Sequence, residues 1–110
     1  MIKIKGKTIT LTKGDTLLVK IDVKFNNEQY IPSDGDEIRF ALKNNYNDPE
    51  TLIYKVIPND TLELMIPSEE TKQLEVKNSP YVYDIQLTTA SGIVDTFIDK
   101  GSLYITEEVE

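Results

Sequence analysis

The sequence predicts an all-β fold, a β-sandwich of immunoglobulin-like type. Seven or eight mainly antiparallel strands are expected, with one short helical turn near residues 68–74. Three observations lead there. The β-branched residues Ile (13), Val (7) and Thr (11) far outnumber Ala (2), and such side chains pack well on a pleated sheet but lose χ1 freedom in a helix. Apolar residues recur with period two along most of the chain, the spacing that turns one face of a strand inward. Turn-forming Gly, Pro, Asn and Asp punctuate these segments at intervals of roughly 8–12 residues. The 110 residues contain no Gly/Ser linker, low-complexity tract or repeat, so 1–110 reads as a single domain.

Taken in order, Thr8–Lys13 alternates with period two. After the turn residues Gly14-Asp15, Val19, Ile21, Val23 and Phe25 fall on one face and Lys20, Asp22 and Lys24 on the other, which predicts one long half-buried strand. Asn26–Asp36 is a polar connection with a turn at Pro32-Ser33-Asp34-Gly35. Ile38, Phe40 and Leu42 then alternate with Glu37, Arg39, Ala41 and Lys43 as a strand, and Asn44–Pro49 is a second loop. Thr51–Ile57 reads as a strand, and Pro58-Asn59-Asp60 turns into another, carried by Leu62, Leu64 and Ile66 and ended by Pro67. The helical turn spans Ser68–Leu74, with Ser68 as N-cap and Glu69 and Glu70 where the helix dipole favours acids. In Tyr81–Ala90, Tyr83, Ile85, Leu87 and Thr89 share a face. Ser91-Gly92 reads as a two-residue hairpin turn into Ile93–Ile98, and Asp99-Lys100-Gly101 as a further turn into Ser102–Thr106. The expected core comprises Phe25, Ile38, Phe40, Leu64, Ile85 and Leu87.

Composition excludes several classes of function. With 12 Lys+Arg against 19 Asp+Glu the formal charge is −7, which argues against a nucleic-acid-binding face built from basic clusters. The absence of Cys removes disulfides, thiolate metal sites and cysteine nucleophiles. The absence of His removes the commonest zinc ligand and the usual general base. No stretch approaches the ~20 apolar residues of a membrane span. Met1–Lys5 alternates apolar and basic residues where a signal peptide would have a continuous apolar run. Neither a Gly-x-Ser-x-Gly nucleophile motif nor a Gly-rich phosphate loop is present. The expectation is a protein that is not an enzyme, with no catalytic, cofactor-binding or metal residues and no cofactor.

The remaining candidates are acidic and aromatic. Asp34, Asp36 and Glu37 cluster as a hard cation prefers, but without the spacing of an EF-hand loop, and they read as a polar turn entering a strand. Asp48 and Glu50, flanking Pro49, read as loop residues. Among 19 scattered acids some pair will meet the ~5–10 Å separation of glycosidase carboxylates by chance, and a chain of this size offers little concave surface. The six tyrosines, Tyr30, Tyr46, Tyr54, Tyr81, Tyr83 and Tyr104, are dispersed, and there is no Trp to lead a sugar-stacking platform. Tyr81-x-Tyr83 resembles the tyrosine corner that pins a sandwich strand, and Tyr83 and Tyr104 are expected at strand edges with hydroxyls on backbone or water. Tyr30 and Tyr46, both in loops, are the two candidate binding residues. An open sandwich also exposes unpaired strand edges. Lys3, Lys5, Lys7 and the acidic C-terminal residues guard those edges against indiscriminate pairing while leaving room for a designated partner to add a strand.

The order of these pieces resembles a known family. A Lys13-Gly14-Asp15-Thr16 turn feeds an alternating strand, and an Asp-rich turn precedes Asp36-Glu37-Ile38-Arg39-Phe40-Ala41-Leu42-Lys43. Ile66-Pro67-Ser68-Glu69-Glu70-Thr71 then leads through Leu74 to Tyr81-Val82-Tyr83-Asp84-Ile85-Gln86-Leu87. The close is Gly92–Ile98 followed by Gly101-Ser102-Leu103-Tyr104-Ile105. This pattern resembles small phage and prophage structural proteins of Gram-positive bacteria, similar to the N-terminal immunoglobulin-like domain of upper-baseplate (BppU-type) tail proteins. The resemblance implies a virion part of a tail, baseplate or head–tail assembly. Its partners would be other phage structural proteins or itself, with no nucleic acid or membrane, and it would reside in the host cytoplasm during assembly and then in the virion. Upper-baseplate proteins continue into a receptor-binding fibre where this sequence ends at Glu110, so the expectation is a stand-alone adaptor or decoration subunit.

The alternative is a carbohydrate- or cell-surface-binding module of the same fold, with a small hydrolase as a third reading. An adaptor should show an exposed apolar patch or an open strand edge, and a sugar binder a groove with two or more exposed aromatic rings. A hydrolase would need a pocketed carboxyl group with a strongly perturbed pKa.

Overall fold

Alternation in the sequence becomes alternation of burial in space. The structure, a computed structural model, describes residues 2–107. Glu108–Glu110 of the acidic C-terminal stretch, and the side chain of Lys3, lie outside what is described. Strand β6 (Glu37–Lys43) buries Ile38, Phe40 and Leu42 completely, and β9 (Tyr81–Thr88) buries Tyr81, Tyr83, Ile85 and Leu87. The other strands are β1 (Ile2–Lys5), β2 (Thr8–Thr12), β3 (Leu17–Lys20), β4 (Lys24–Phe25), β5 (Glu28–Gln29), β7 (Ile53–Ile57), β8 (Glu63–Ile66) and β10 (Val94–Thr106); a single turn of helix, α1, covers Ser68–Thr71.

The fold is all-β with mixed pairing. One six-stranded sheet has the order β1-β2-β10-β9-β6-β7, and β3-β8 and β4-β5 form two-stranded sheets. All pairs are antiparallel except β2 with β10, which run parallel with Ile9 opposite Leu103 and Leu11 opposite Ile105. Inward residues of the six-stranded sheet and of β3-β8 share one contiguous core, in which Leu17, Leu64 and Ile66 meet Phe40, Ile85, Leu87 and Leu103. Of the six expected core residues, Phe25 is the exception: it is half-buried, packed against the core and paired with Tyr30 at 5.8 Å between ring centroids.

The structure corrects several local expectations, each for a physical reason. The long strand expected over Val19–Phe25 keeps its burial, with Ile21 and Val23 inside, but changes partner midway. Pairing with β8 ends at Lys20; the Ile21 N–H donates to Leu62 O and the Val23 carbonyl accepts from Tyr30 N–H. The end of that expected strand, Lys24–Phe25, forms the β4–β5 hairpin with Glu28–Gln29 of the expected loop, and Asn26 (φ 51°) and Asn27 (φ 67°) supply the two left-handed positions of its tight turn. Asn tolerates that region better than other non-glycine residues. After β9 the chain reverses through three residues, Ala90-Ser91-Gly92, where two were expected. The Thr89 N–H donates to Ile93 O, the Gly92 N–H donates to Thr89 O, and Gly92 has φ 92°.

Asp99-Lys100-Gly101 makes no turn. β10 runs unbroken for 13 residues and absorbs two extra residues as bulges, one between Thr96 and Ile98 and one between Ile98 and Gly101, where Lys100 has φ 57°. The second bulge switches the inward parity from Ile98 to Gly101, Leu103 and Ile105. Finally, α1 is shorter than expected and is capped by Pro67, whose carbonyl accepts from the Glu70 and Thr71 N–H groups. The Ser68 hydroxyl instead donates to Gly14 O at 2.6 Å, tying α1 to the β2–β3 turn. With β1 and the hairpin added and the last two expected strands merged, the described residues contain ten strands.

Candidate functional site

Asp36 is the acidic residue with the most elaborate surroundings. Its Oδ2 accepts from the Tyr30 hydroxyl (2.6 Å) and the Ser33 N–H (3.0 Å), and its Oδ1 from the Ala90 N–H (2.9 Å). Asn59 Nδ2 donates to the Asp36 and Ser33 carbonyls, and Gly35 (φ 90°) brings the turn so close that a Cβ there would lie 2.8 Å from Ala90 Cβ. These donors, led by the Ser33 N–H and then Tyr30, hold the carboxyl below its ordinary range. The bond to Asp36 in turn raises the Tyr30 phenol. Asp36 thus knots three loops together, and its oxygens are committed to protein donors. Asp34 and Glu37 are exposed, and no group of three or more acidic side chains among the described residues is arranged to hold a metal ion.

The two loop tyrosines are not brought together. Tyr30 is half-buried at the start of β6, locked to Asp36 and Phe25, whereas Tyr46 is exposed beyond the other end of the same strand, beside Ala41 and Lys43. The other tyrosines divide by role. Tyr81, at the start of β9, accepts from the Glu75 N–H at 2.7 Å, and the Tyr83 hydroxyl donates to Lys7 O at 2.8 Å. Burial raises the Tyr83 phenol. Tyr83 is interior, not at an edge as expected, while Tyr104 is exposed on the outer face of β10.

The surface that stands out is the β7 edge. β7 is the last strand of the six-stranded sheet, and among the described residues no strand pairs with its outer side. Its inward residues Ile53 and Ile57 are buried, yet its outward neighbours are also apolar: Leu52, Tyr54 and Val56 are 40%, 52% and 58% exposed. By register Tyr54 lies opposite Ala41 and Val56 opposite Arg39, so this strip continues onto β6. There Arg39 is held by Gln86 Oε1 and Asp84 Oδ1, both at 3.0 Å. The signal was present in Thr51–Ile57, where Leu52, Tyr54 and Val56 are apolar alongside Ile53 and Ile57 and Lys55 is the one charge, a pattern that becomes conspicuous at an edge.

Beside β7 lies an open acidic cleft of about 550 Å³, with Asp48, Glu50, Glu70 and Glu75 around Leu52, Ile53 and Leu74. The 44–50 loop is shaped by its own side chains: Asn45 Oδ1 accepts from Asn47 N–H and Asp48 Oδ1 from Glu50 N–H. Glu70 is paired with Lys55 at 2.6 Å, and Lys77 lies over the Tyr81 ring, 4.0 Å from its centroid, with a bond to Asn44 Oδ1.

No family model matches the sequence, and no curated protein matches it. No helix of the described residues is long and apolar enough to cross a membrane.

Proposed function

We propose that this chain is a non-enzymatic structural module of a phage or prophage particle, an immunoglobulin-like sandwich that works through protein–protein contacts in a tail, baseplate or head–tail assembly. The observation that carries the reading is the β7 edge, an open strand with Leu52, Tyr54 and Val56 exposed in a row. The charge on this edge, Lys55, is on its inner side and paired with Glu70; the outer side is apolar, and an exposed apolar strip fits a surface kept for a partner.

The strand order supports the immunoglobulin-like part. Reading β3, β6, β8, β9 and β10 as strands B, C, E, F and G gives the C-F-G order of one sheet and the B-E pairing of the other. Tyr81 then falls at the start of F with its hydroxyl bonded to backbone upstream, as in a tyrosine corner. Asp36 does not favour a hydrolase, since a general acid needs its pKa raised and this one is lowered.

The test is mass spectrometry of gradient-purified particles induced from the bacterium carrying the gene. Peptides of this chain should co-purify at a fixed ratio to the tail proteins. Particles of normal composition that lack it would overturn the reading.

A further inference from the structure

The two edges of the six-stranded sheet are chemically opposite, and we propose that they join: the β1 edge of one copy adds onto the β7 edge of the next, in a head-to-tail assembly of this chain. The inference rests on the assembly reading above and names its partner as a second copy. On the β7 side the apolar strip of Leu52, Tyr54 and Val56 is bordered by Asp48, Glu50 and Glu75. On the β1 side Ile4, 47% exposed and opposite Ile9, lies on the core-facing side, so the joint sets it beside Ile53 and Ile57. Lys5 lies on the outer side in line with Leu52, Tyr54 and Val56, and a cleft of about 460 Å³ opens between the β1–β2 hairpin and β3. Its apolar floor includes Ile9, Val19 and Ile21. The basic groups at the β1 edge itself are Lys5, exposed next to Ile4, and Lys7, whose ammonium donates to Asp99 O; Lys20 and Lys24 reach the cleft from β3 and β4.

Charge selects this pairing over the others. At a net −7 two copies repel on average, so attraction must come from local complementarity, and the basic edge is where an acidic edge is drawn in. Pairing β7 with β7 would bring its acids against one another, and pairing β1 with β1 would do the same with lysines. Directionality also permits the joint. β1 runs antiparallel to β2, β2 runs parallel to β10, and the alternation from β10 through β9 and β6 leaves β7 running the same way as β1. An operator that keeps the same face outward therefore joins them as a parallel pair, continuing the sheet from copy to copy. Such a contact is heterologous, so it closes into a ring or propagates as a filament.

Two exposed-surface variants test it, each checked for native circular dichroism. Lys5→Glu/Lys7→Glu spoils the β1 edge, and Glu50→Lys/Val56→Lys spoils the β7 edge. In sedimentation velocity the wild type should form species larger than a monomer that dissociate with added salt. Each variant alone should remain monomeric, and an equimolar mixture should associate again, because each supplies the edge the other has lost. If the Lys5→Glu/Lys7→Glu variant self-associates as the wild type does, β7 pairs with itself and the proposal is overturned. A wild type that stays monomeric at every concentration overturns it too, whereas the structural role stands or falls separately on the composition of the particles.

Discussion

The ring of Tyr83 lies flat against the backbone of Gly101, the residue opposite it on β10, and a Cβ at position 101 would overlap three atoms of that ring. The same ring packs on Phe40 at 5.4 Å between centroids, and its hydroxyl reaches across to Lys7 O. One tyrosine thus links β9, β6, β10 and the β1–β2 turn, and the glycine is what lets it do so. The bulge before Gly101 has the same logic, since it places the small residue and not Lys100 under the ring.

Gly101→Ala should therefore destabilise by overpacking, by about 1–3 kcal/mol. At about 4–8 °C per kcal/mol for a chain of this size, thermal melting will resolve it. Tyr83→Phe keeps the ring and loses only the bond to Lys7, and should cost about 0.5–1.5 kcal/mol. A Gly101→Ala protein that melts with the wild type would mean the ring has another place to go.

Stability should fall on acidification in a way that reports Asp36. Its folded pKa lies below the unfolded value near 3.8, so its contribution is present above that value and is lost as pH falls through the folded one. Asp36→Asn presents an amide to Tyr30, Ser33 and Ala90, all donors, and should be less stable than wild type at neutral pH. Urea midpoints measured down a pH series should show the two proteins converging in acid. A gap that stays constant with pH would remove the carboxylate from the account.

Phe40→Ala should cost about 3–5 kcal/mol, since the side chain is fully buried at the centre of the large sheet. Phe25→Ala, half-buried on the β4–β5 hairpin, should cost about 1–2 kcal/mol. Chemical denaturation of the pair measures the difference directly. Equal losses would contradict the placement of Phe25 at the margin of the core.

Those two phenylalanines also mark how far the sequence could be read. Ile38, Phe40 and Leu42 belong to a strand paired on both sides, so period-two alternation translated directly into burial. Phe25 obeys the same alternation, but its strand changes partners at Ile21, a tertiary event without local signature. Asp99-Lys100-Gly101 has the composition of a turn and a switch of apolar parity across it, and a β-bulge produces both. The candidate surface was legible in part: Leu52, Tyr54 and Val56 alternate with Ile53 and Ile57, but which set faces out, and that the strand lies at an edge, are properties of topology.

Gly14-Asp15 serves the fold, and Thr71 provides the test. Its side chain is completely buried, with Oγ1 2.7 Å from Asp15 O and 3.0 Å from Ser68 O, so one hydroxyl proton is shared between the β2–β3 turn and α1. Replacement separates packing from polarity. Thr71→Val preserves shape and removes the donor, which should cost about 1–3 kcal/mol. Thr71→Ser keeps the donor and removes one methyl group, which should cost about 1 kcal/mol or less. A larger loss in the valine variant identifies the hydrogen bond as the tie. The reverse order, read by the same urea titration, would make Thr71 a packing residue and leave Ser68 and its bond to Gly14 O as the link that holds α1 in place.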